Sequence, residues 1–336
     1  MTSLVVQTAF LGDVVLTTPL LAAVARRAGP VDVVTTPAAG ALLATHPAVH
    51  AVITYDKHGR ERGLASFVGL ALRLRAAHYD TAYLPHRSLR TAVLARLAGV
   101  PRRIGFEDGW PAFYTEVHRR PADGPESLRL LALLGSEGAQ ESPLPRLYPS
   151  PEDDRAASAF LARAGVAGPF IALAPGSIWG TKRWPFYPEL AARLAEQAAV
   201  VVVVGGAEDA ALGNTVAEAG GGSRERSACG KLTVSQSAAL IRRAQLVVTN
   251  DSAPLHLATA MGTPVVAVFG PTVPAFGFGP LGAHDAVVEL DGLGCRPCSD
   301  HGPQQCPLGH HRCMQDLPVA RVLTAIEDTG ALRRRN

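Results

Sequence analysis

The amino-acid sequence predicts a two-domain α/β protein, with each domain built on a parallel β-sheet. At 336 residues the chain is longer than one hydrophobic core usually supports. Strand-like and helix-like segments alternate along almost the whole chain, as they do in parallel sheets with helical crossovers. A proline-rich stretch, residues 142–151, interrupts this alternation and is the predicted linker. We expect domains over 1–150 and 151–316, then a helical segment over 317–336 that packs back towards the first domain.

The first half is predicted from its apolar runs and the turn residues between them. The predicted strands are Ser3–Thr8, Val31–Thr35, Ala51–Tyr55 and Thr81–Leu84, and the predicted helices are Val14–Ala28 and Leu64–Ala77.

The second half repeats the same alternation after the linker. The predicted strands are Phe170–Ala174, Val200–Val204, Leu246–Thr249 and an apolar strand that ends before Gly270. The predicted helices are Glu152–Ala164, Pro188–Gln197, Ser235–Ala244, a short helix before Gly262, and a last helix from Pro318 to Arg334.

The composition is that of a globular protein, with 47% apolar and 18% charged residues. No apolar run reaches the roughly 18 residues that span a bilayer. The N-terminal MTSLVVQTAFLGD lacks the basic region and cleavage site of a signal peptide. We therefore expect a cytoplasmic protein.

The net charge of +3 is unevenly distributed along the chain. Residues 1–150 hold 16 Lys and Arg against 12 Asp and Glu, whereas the remainder holds 16 against 17. The basic first half suits an acidic partner such as a phosphorylated sugar, an anionic membrane surface or nucleic acid. The excess is too small to favour binding of a nucleic-acid duplex.

Gly12 and Asp13 follow the first predicted strand, at the carboxyl end where open parallel sheets bind ligands. Gly12 permits a tight turn and close approach of a ligand. The Asp13 carboxylate suits a general base that acts on a hydroxyl, and a simple helix cap is an equally good interpretation.

A second candidate site follows the first strand of the second half, in residues 174–185. Gly176 and Gly180 permit close backbone approach, Ser177 and Thr181 offer hydroxyls, and Lys182 supplies a compact positive charge. Together they suit a diphosphate, although the sequence is not that of a Walker A loop. Trp184 and Pro185 resemble an anchor for the loop. The alternative is a polar loop whose Lys182 and Arg183 are solvated.

Two further strand ends carry polar side chains. Glu208 follows two glycines after the strand at Val200–Val204, where it suits either a ribose contact or the start of a helix. Asp251 and Ser252 follow the strand at Leu246–Thr249, and His256 lies one helical turn further on. This group suits a phosphate-bearing ligand at a helix N-terminus, and capping by Asp251 and Ser252 is the alternative.

The tail contains four cysteines whose spacing is compatible with a structural zinc site: Cys295, Cys298, Cys306 and Cys313. The second pair is spaced more widely than in common zinc fingers. Loosely packed or redox-labile thiols are the alternative, while a cytoplasmic location argues against disulfides.

Together, the order of these motifs resembles the glycosyltransferase family that contains the lipopolysaccharide heptosyltransferases, glycosyltransferase family 9. The motifs are Gly12-Asp13 after the first strand, Pro175-Gly176-Ser177 with Thr181-Lys182-Arg183-Trp184-Pro185, and Asn250-Asp251-Ser252 with His256 before Gly262-Thr263-Pro264. The cysteine-containing tail, residues 297–314, resembles the heptosyltransferase II branch, although Cys298–Cys306 departs locally from the family pattern.

The resemblance implies a GT-B fold, in which two Rossmann-like domains face a central cleft. It implies an inverting transfer of heptose from ADP-L-glycero-D-manno-heptose to the inner core of lipopolysaccharide, with no catalytic metal or required cofactor. Asp13 would be the catalytic base, and Lys182 would stabilise the departing ADP. By motif match, the donor-binding residues would be Ser177, Thr181, Lys182, Asp251, Ser252 and His256, and the strand-end motifs themselves add Gly176 and Glu208 to this expected set.

The first domain would bind a lipid A–Kdo–heptose acceptor through Gly12 and through Arg87 and Arg90, which follow a strand end. The expected location is cytoplasmic and peripheral to the inner face of the inner membrane, with no nucleic-acid partner. Another nucleotide-sugar glycosyltransferase, a nucleotide-sugar 2-epimerase and a non-catalytic nucleotide-sugar binding protein remain as alternatives.

Overall fold

A computed structural model describes residues 2–57 and 59–331. The chain divides into two compact units, Met1–Tyr148 and Pro149–Asn336, and the division lies inside the proline-rich stretch at 142–151. Each unit has its own parallel sheet and its own hydrophobic core.

The first unit contains a six-stranded sheet with helices on both faces. Its elements are β1 (Ser3–Val6), α1 (Leu11–Ala28), β2 (Val31–Thr35), α2 (Pro37–Leu43), β3 (Val49–Thr54), α3 (Leu64–Ala76), β4 (Thr81–Leu84), α4 (Leu89–Leu97), β5 (Arg102–Phe106), β6 (Glu116–His118) and α5 (Glu126–Leu131). The strand order is β3-β2-β1-β4-β5-β6, and all pairs are parallel.

The second unit contains a five-stranded parallel sheet. Its elements are α6 (Pro151–Arg163), β7 (Ile171–Ala174), α7 (Tyr187–Glu196), β8 (Val201–Val203), α8 (Ala210–Ala219), α9 (Val234–Ile241), β9 (Leu246–Asn250), α10 (Ala253–Met261), β10 (Val265–Phe269), β11 (Ala286–Glu289), α11 (Arg312–Gln315) and α12 (Val319–Asp328). The strand order is β11-β10-β9-β7-β8.

Both sheets reverse their direction of growth at one internal position. In the first sheet the chain moves outward from β1 to β3 and then resumes at β4 on the other side of β1. In the second sheet it moves from β7 to β8 and resumes at β9 on the other side of β7. Ligands of open parallel sheets bind beyond the carboxyl ends of the strands at such switch points. The segments after β1, β4, β7 and β9 are therefore where the fold places a site.

The central strands are apolar on both faces because helices cover both sides of each sheet. Every residue of β1, β7, β9 and β10 is buried. This explains why these strands appear in the sequence as continuous apolar runs rather than as alternating patterns. The predicted α/β class with two parallel sheets is confirmed.

Helix α1 accommodates a proline near its middle. Pro19 has no N–H to donate to the carbonyl of Val15 four residues earlier. The Thr18 hydroxyl donates to that carbonyl instead, at 2.8 Å. The helix therefore continues through Pro19 to Ala28.

The last described helix, α12, packs on the second unit. Val319, Val322 and Ile326 belong to the hydrophobic core of that unit. Packing of residues 317–336 towards the first domain stays a prediction, and residues 332–336 of the predicted helical segment lie outside the described residues. Within the described chain, no helix combines the length and apolar character needed to cross a membrane.

Candidate functional site

Asp13 lies at the switch point of the first sheet. Helix α1 begins at Leu11, so Asp13 is its third residue and directly follows Gly12. One carboxylate oxygen accepts a hydrogen bond from the Phe10 N–H at 3.1 Å, which is a capping contact. A carboxylate has two oxygens that can accept hydrogen bonds, and this contact uses one of them. The capping role and a role as general base are therefore compatible.

The surroundings of Asp13 disfavour its charged form. Burial, and secondarily the nearby Glu126 carboxylate, raise the pKa of Asp13 to about 6, against the opposing effects of the Phe10 N–H and Arg120. A carboxyl group with a pKa near 6 is ionised at neutral pH and is more basic than an ordinary aspartate. This is the property that a general base requires.

Glu126 and Arg120 form a buried ion pair beside Asp13. Glu126 is the first residue of α5, which packs against α1, and it also lies 3.9 Å from Arg129. The Arg120 guanidinium lies over the Phe106 ring, 4.9 Å from its centroid. The acid and base that shape the Asp13 environment therefore come from a segment for which the sequence made no prediction.

A group of cations surrounds His86, which follows β4 at the same sheet edge. Burial, and then the positive charges of Lys57, Arg87 and Arg120, lower the pKa of His86 to about 4. His86 is therefore neutral at physiological pH, and its buried Nδ1 has no hydrogen-bond partner among the described residues. This concentration of positive charge suits an anionic ligand.

The two arginines predicted to bind an acceptor have different environments. Arg87 is exposed and lies 3.5 Å from Asp108. Arg90 is half-buried, donates to the Tyr55 hydroxyl, and lies over the Tyr55 and Phe67 rings at 5.3 and 5.2 Å. Arg87 is therefore available to a ligand, whereas Arg90 packs against the body of the unit.

The second sheet carries a buried ion pair at its switch point. Lys182 follows β7, Asp251 follows β9, and the Lys182 Nζ donates to the Asp251 Oδ2 at 2.6 Å. The Thr272 hydroxyl donates to the same carboxylate oxygen at 2.6 Å. Both charged side chains are about nine-tenths buried, so the pair is fixed rather than solvated. The alternative of a solvated Lys182 is wrong, and Arg183 alone of the two cations is exposed.

Capping does not explain Asp251 and Ser252. Ser252 is the N-cap residue of α10, but its side chain makes no capping hydrogen bond. The Asp251 carboxylate contacts Lys182 and Thr272 instead of the helix N-terminus. The N–H groups of the first turn of α10 thus remain without a side-chain cap from Ser252, as a phosphate-binding helix N-terminus requires.

His256 lies in α10 and is buried near the ion pair. Burial, reinforced by Lys182 and opposed by Asp251, lowers the pKa of His256 to about 4. Its ring packs edge-on against Phe278. The neutral imidazole can give or accept a hydrogen bond but does not add charge at neutral pH.

Asn250, the last residue of β9, connects this strand to the Lys182 loop. Its side-chain oxygen accepts from the Trp184 N–H at 3.2 Å and from the Tyr187 hydroxyl at 3.3 Å, and its amide donates to the Pro175 carbonyl at 2.9 Å. The buried Trp184 indole donates to the Leu317 carbonyl at 3.0 Å. Trp184 is therefore the anchor that the sequence indicated.

The cysteine-containing tail holds the other side of this loop. The Gln304 side chain accepts from the Gly180 N–H at 3.1 Å and donates to the Ile178 carbonyl at 3.0 Å. The Thr181 hydroxyl donates to the Pro303 carbonyl, and the His311 Nε2 lies 2.8 Å from the Thr181 carbonyl. The tail thus fixes the backbone around Lys182 from residues about 120 to 130 positions away in sequence.

Arg296 orders the turn that supplies Thr272. Its guanidinium donates to the carbonyls of Gly270, Thr272 and Leu290, and it pairs with Glu289 at 2.7 Å. Asn250, Thr272, Arg296 and Gln304 were all absent from the predicted site. Asn250 lay within a recognised motif, but nothing local in the sequence identified the other three.

The remaining predicted donor residues lie around the same sheet edge. Gly176 is required because a Cβ there would collide with the Asp209 carboxylate. The Ser177 hydroxyl accepts from the Trp179 N–H at 3.2 Å. Glu208 is exposed after β8, and Asp209 rather than Glu208 caps the local turn by accepting from the Gly206 N–H. Glu208 is therefore accessible to a ligand, and its role as a donor contact stays a prediction.

The predicted zinc site is not supported. In residues 2–57 and 59–331, no group of three or more His, Cys, Asp or Glu side chains is arranged to hold a metal ion. Cys295, Cys298 and Cys306 line one small surface cavity, but Cys313 belongs to the hydrophobic core of the second unit. Burial raises the pKa of Cys313 to about 11, which disfavours the thiolate that binds metal.

The two α/β units with parallel sheets are those of a GT-B-type glycosyltransferase. The family model for glycosyltransferase family 9 (heptosyltransferase) matches residues 68–308, and the chain belongs to this family. The chain is 27% identical to lipopolysaccharide heptosyltransferase 2 of Escherichia coli K12 over 288 residues, which is 77% of each protein.

Solved structures of related proteins have the same fold. The glycosyltransferase family 9 protein of Veillonella parvula DSM 2008 superposes with a TM-score of 0.85 at 24% identity, covering 98% of this chain and 97% of that chain. The E. coli ADP-heptose LPS heptosyltransferase II superposes with a TM-score of 0.79 at 26% identity, covering 99% and 98%. The predicted GT-B fold and family are confirmed.

Proposed function

We propose that this glycosyltransferase moves a heptose from ADP-L-glycero-D-manno-heptose to the inner core of lipopolysaccharide. The similarity to heptosyltransferases 2 supports this sugar and this acceptor. The observation that carries the proposal is the Lys182–Asp251 pair at the switch point of the second sheet, within a glycine-containing loop. A fixed ammonium group beside a helix N-terminus suits the diphosphate of a nucleotide sugar.

The donor would bind around this loop through the backbone at Gly176 and the side chains of Ser177, Thr181 and Lys182. Ser252 and His256 would contact its phosphates or sugar, and Glu208 would contact the ribose. Asp251 would hold the Lys182 ammonium in position. As the bond between the heptose C1 and the ADP oxygen breaks, negative charge grows on ADP and Lys182 stabilises it. Because this positive charge comes from the chain, we propose a transfer that needs no catalytic metal and no cofactor.

The acceptor would bind beside Asp13, close to Gly12. Asp13 would remove the proton from the acceptor hydroxyl as its oxygen forms the new bond to C1. A single displacement of this kind inverts the anomeric centre. Arg87, with the neighbouring Lys57 and Arg120, would contact the anionic groups of a lipid A–Kdo–heptose acceptor, and Arg90 would shape the same surface. Such an acceptor places the enzyme on the cytoplasmic side of the inner membrane, as a peripheral protein.

The test measures ADP release from ADP-heptose with and without a lipid A–Kdo–heptose acceptor. We expect release that depends on the acceptor and a glycoside product of inverted anomeric configuration by NMR. Asp13→Asn should lower kcat by about 100- to 10,000-fold while leaving the Kd for ADP unchanged, because only proton transfer is removed. Asp123→Asn, at an exposed position of the same unit, is the control.

Conversion of the donor without any acceptor would instead support a 2-epimerase. Tight donor binding without turnover would support a non-catalytic binding protein. Near-normal turnover of Asp13→Asn would remove Asp13 as the base.

A further inference from the structure

Helix α3 exposes a stripe of large apolar side chains. Leu64, Val68 and Leu72 are 78%, 42% and 61% exposed, and their spacing of four residues places them along one side of the helix. An adjacent side of α3 is also apolar, and its Phe67 and Leu74 are buried in the core of the first unit. Single exposed leucines are common on protein surfaces, but packing within the unit does not account for three large apolar side chains in one line on one helix.

Positive charge lies at both ends of this stripe. Arg60 and Arg62 are exposed in the turn before α3, and Arg73 and Arg75 are exposed in its last turn. None of these four arginines forms an ion pair with another described residue. Helix α3 itself contains no acidic residue.

The nearby acids do not neutralise these arginines. Asp56 accepts hydrogen bonds from the backbone N–H groups of Gly59 and Arg60, and Glu61 accepts from the N–H of Asp56. Both carboxylates therefore order the turn rather than pair with the arginine side chains. The stripe remains an apolar surface with a cationic border.

This surface lies close to the candidate acceptor site. Helix α3 starts after β3, at the carboxyl edge of the sheet where Asp13 also lies. On its buried side, the Phe67 ring lies 5.2 Å from the guanidinium of Arg90 in the segment after β4. A surface that contacts α3 from outside is thus about one helix thickness away from Arg90.

We propose that α3 and the turn before it form a docking surface for an anionic lipid bilayer. Leu64, Val68 and Leu72 enter the headgroup region, and the four arginines contact lipid phosphates. The charge favours this occupant over a second copy of the chain, because two such surfaces would bring eight like charges together. The inference rests on the proposed function, which supplies the reason for a lipid-anchored acceptor to reach this edge.

The first experiment measures co-sedimentation of the full chain with phosphatidylcholine vesicles, with and without phosphatidylglycerol. We expect binding that requires phosphatidylglycerol and weakens as salt is added. The Leu64→Ser/Leu72→Ser variant should bind about ten-fold or more weakly, because two apolar side chains leave the interface. The matched control is Leu144→Ser/Leu308→Ser, at leucines that are 46% and 62% exposed elsewhere.

A second variant tests the cationic border separately. Arg60→Gln/Arg62→Gln should reduce the dependence on phosphatidylglycerol by several-fold while leaving the apolar stripe intact. Equal binding to both vesicle types, or unchanged binding of both variants, would overturn the proposal. Loss of a dimer in sedimentation velocity for Leu64→Ser/Leu72→Ser, with unchanged vesicle binding, would make the stripe a self-association surface instead.

Activity measurements separate this proposal from the proposed function. With a deacylated, water-soluble acceptor, Leu64→Ser/Leu72→Ser should match the unaltered protein. With the acceptor embedded in vesicles, the transfer rate of this variant should fall several-fold relative to the unaltered protein. Absence of transfer by the unaltered protein to any acceptor would count against the proposed function alone, since vesicle binding is measured without turnover.

Discussion

The charged residues at the carboxyl edges of the two sheets lie in different electrostatic environments. At the first edge, the Asp13 carboxylate accepts a backbone hydrogen bond from the Phe10 N–H and lies near the Glu126 carboxylate, and burial raises its pKa to about 6. At the second edge, Asp251 receives hydrogen bonds from both Lys182 and Thr272 at 2.6 Å. One carboxylate is held in an environment that disfavours its charge, whereas the other is the centre of a compensated network.

This difference separates a reactive group from a supporting group. A carboxylate with an unfavourable charge gains from accepting a proton, which is what the proposed transfer asks of Asp13. A carboxylate bonded to an ammonium and a hydroxyl gains nothing from a proton, and it fixes its partners instead. The electrostatic environment thus distinguishes two aspartates that both follow a strand at a switch point, β1 in the first sheet and β9 in the second.

The largest expected effect is on stability. Substitution of Asp251 and of Asp13 should change the free energy of unfolding in opposite directions. Asp251→Ala should lower the free energy of unfolding by about 3–5 kcal/mol, since it leaves the Lys182 charge buried and unpaired. For Asp13, the folded-state pKa of about 6 exceeds the ordinary aspartate value of 3.8, so the free energy of unfolding falls as the pH rises from about 3.8 to about 6 and stays lowered at pH 7. Asp13→Asn should therefore raise the free energy of unfolding at pH 7 by about 1–3 kcal/mol.

Urea denaturation at pH 7 and again near pH 4 measures both effects. The stabilisation by Asp13→Asn should shrink towards the lower pH, where Asp13 is protonated in the folded state. A loss of stability in Asp13→Asn equal to that in Asp251→Ala would show that the two edges do not differ in this way.

A smaller effect is expected in the pH dependence of turnover. The kcat/KM should fall as the pH drops through about 6, because the base becomes protonated. Glu126→Gln removes a negative charge that raises the pKa of Asp13 and frees Arg120 to lower it further. The midpoint of the acidic limb should move down by about half a unit to one unit, which preserves activity at mildly acid pH.

A pH–rate profile of each variant checks this shift. Glu137→Gln, at an exposed glutamate of the same unit, should leave the midpoint in place. An unmoved midpoint in Glu126→Gln would mean that burial alone sets the Asp13 pKa.

The smallest effect concerns the rigidity of the second edge. Gln304→Ala removes two hydrogen bonds to the backbone on either side of Trp179. We expect about a five-fold rise in the Kd for ADP by isothermal titration, with a smaller change in kcat. Loss of these hydrogen bonds removes roughly 1 kcal/mol of the free energy that orders the loop. Gln315→Ala, at an exposed glutamine of the same tail, is the comparison. An equal effect of both substitutions would remove any special role for Gln304.

Sequence patterns predicted the fold where strands are buried on both faces. Val31–Thr35, Thr81–Leu84 and the apolar part of β9 were located almost to the residue, because short continuous apolar runs between turn residues are typical of buried parallel strands. The segment from residue 85 to 141 was left unassigned, since β5 and β6 begin with charged residues and α5 is only six residues long. Short, partly exposed elements have no clear periodicity.

The residues of the candidate site also divide into those that a local sequence pattern marks and those that it does not. Asp13, Lys182 and Asp251 follow apolar runs closely, so their places at strand ends were predictable. Glu126, Arg296 and Gln304 reach the site only through the tertiary structure, and no local pattern marks them. The zinc hypothesis is not supported for a related reason. Spacing reveals which cysteines are near in sequence, but not that Cys313 lies in the hydrophobic core of the second unit.

The hydrogen bond from the Trp184 indole to the Leu317 carbonyl spans 133 residues of sequence. A chain emerging from the ribosome would complete β7 and the lysine loop long before residue 317 is synthesised. The first unit can fold on its own contacts during this time, as N-terminal domains commonly do. The Lys182 loop would reach its final order only near the end of translation, so a nascent chain would be able to fold its first unit before the switch point of the second sheet is complete.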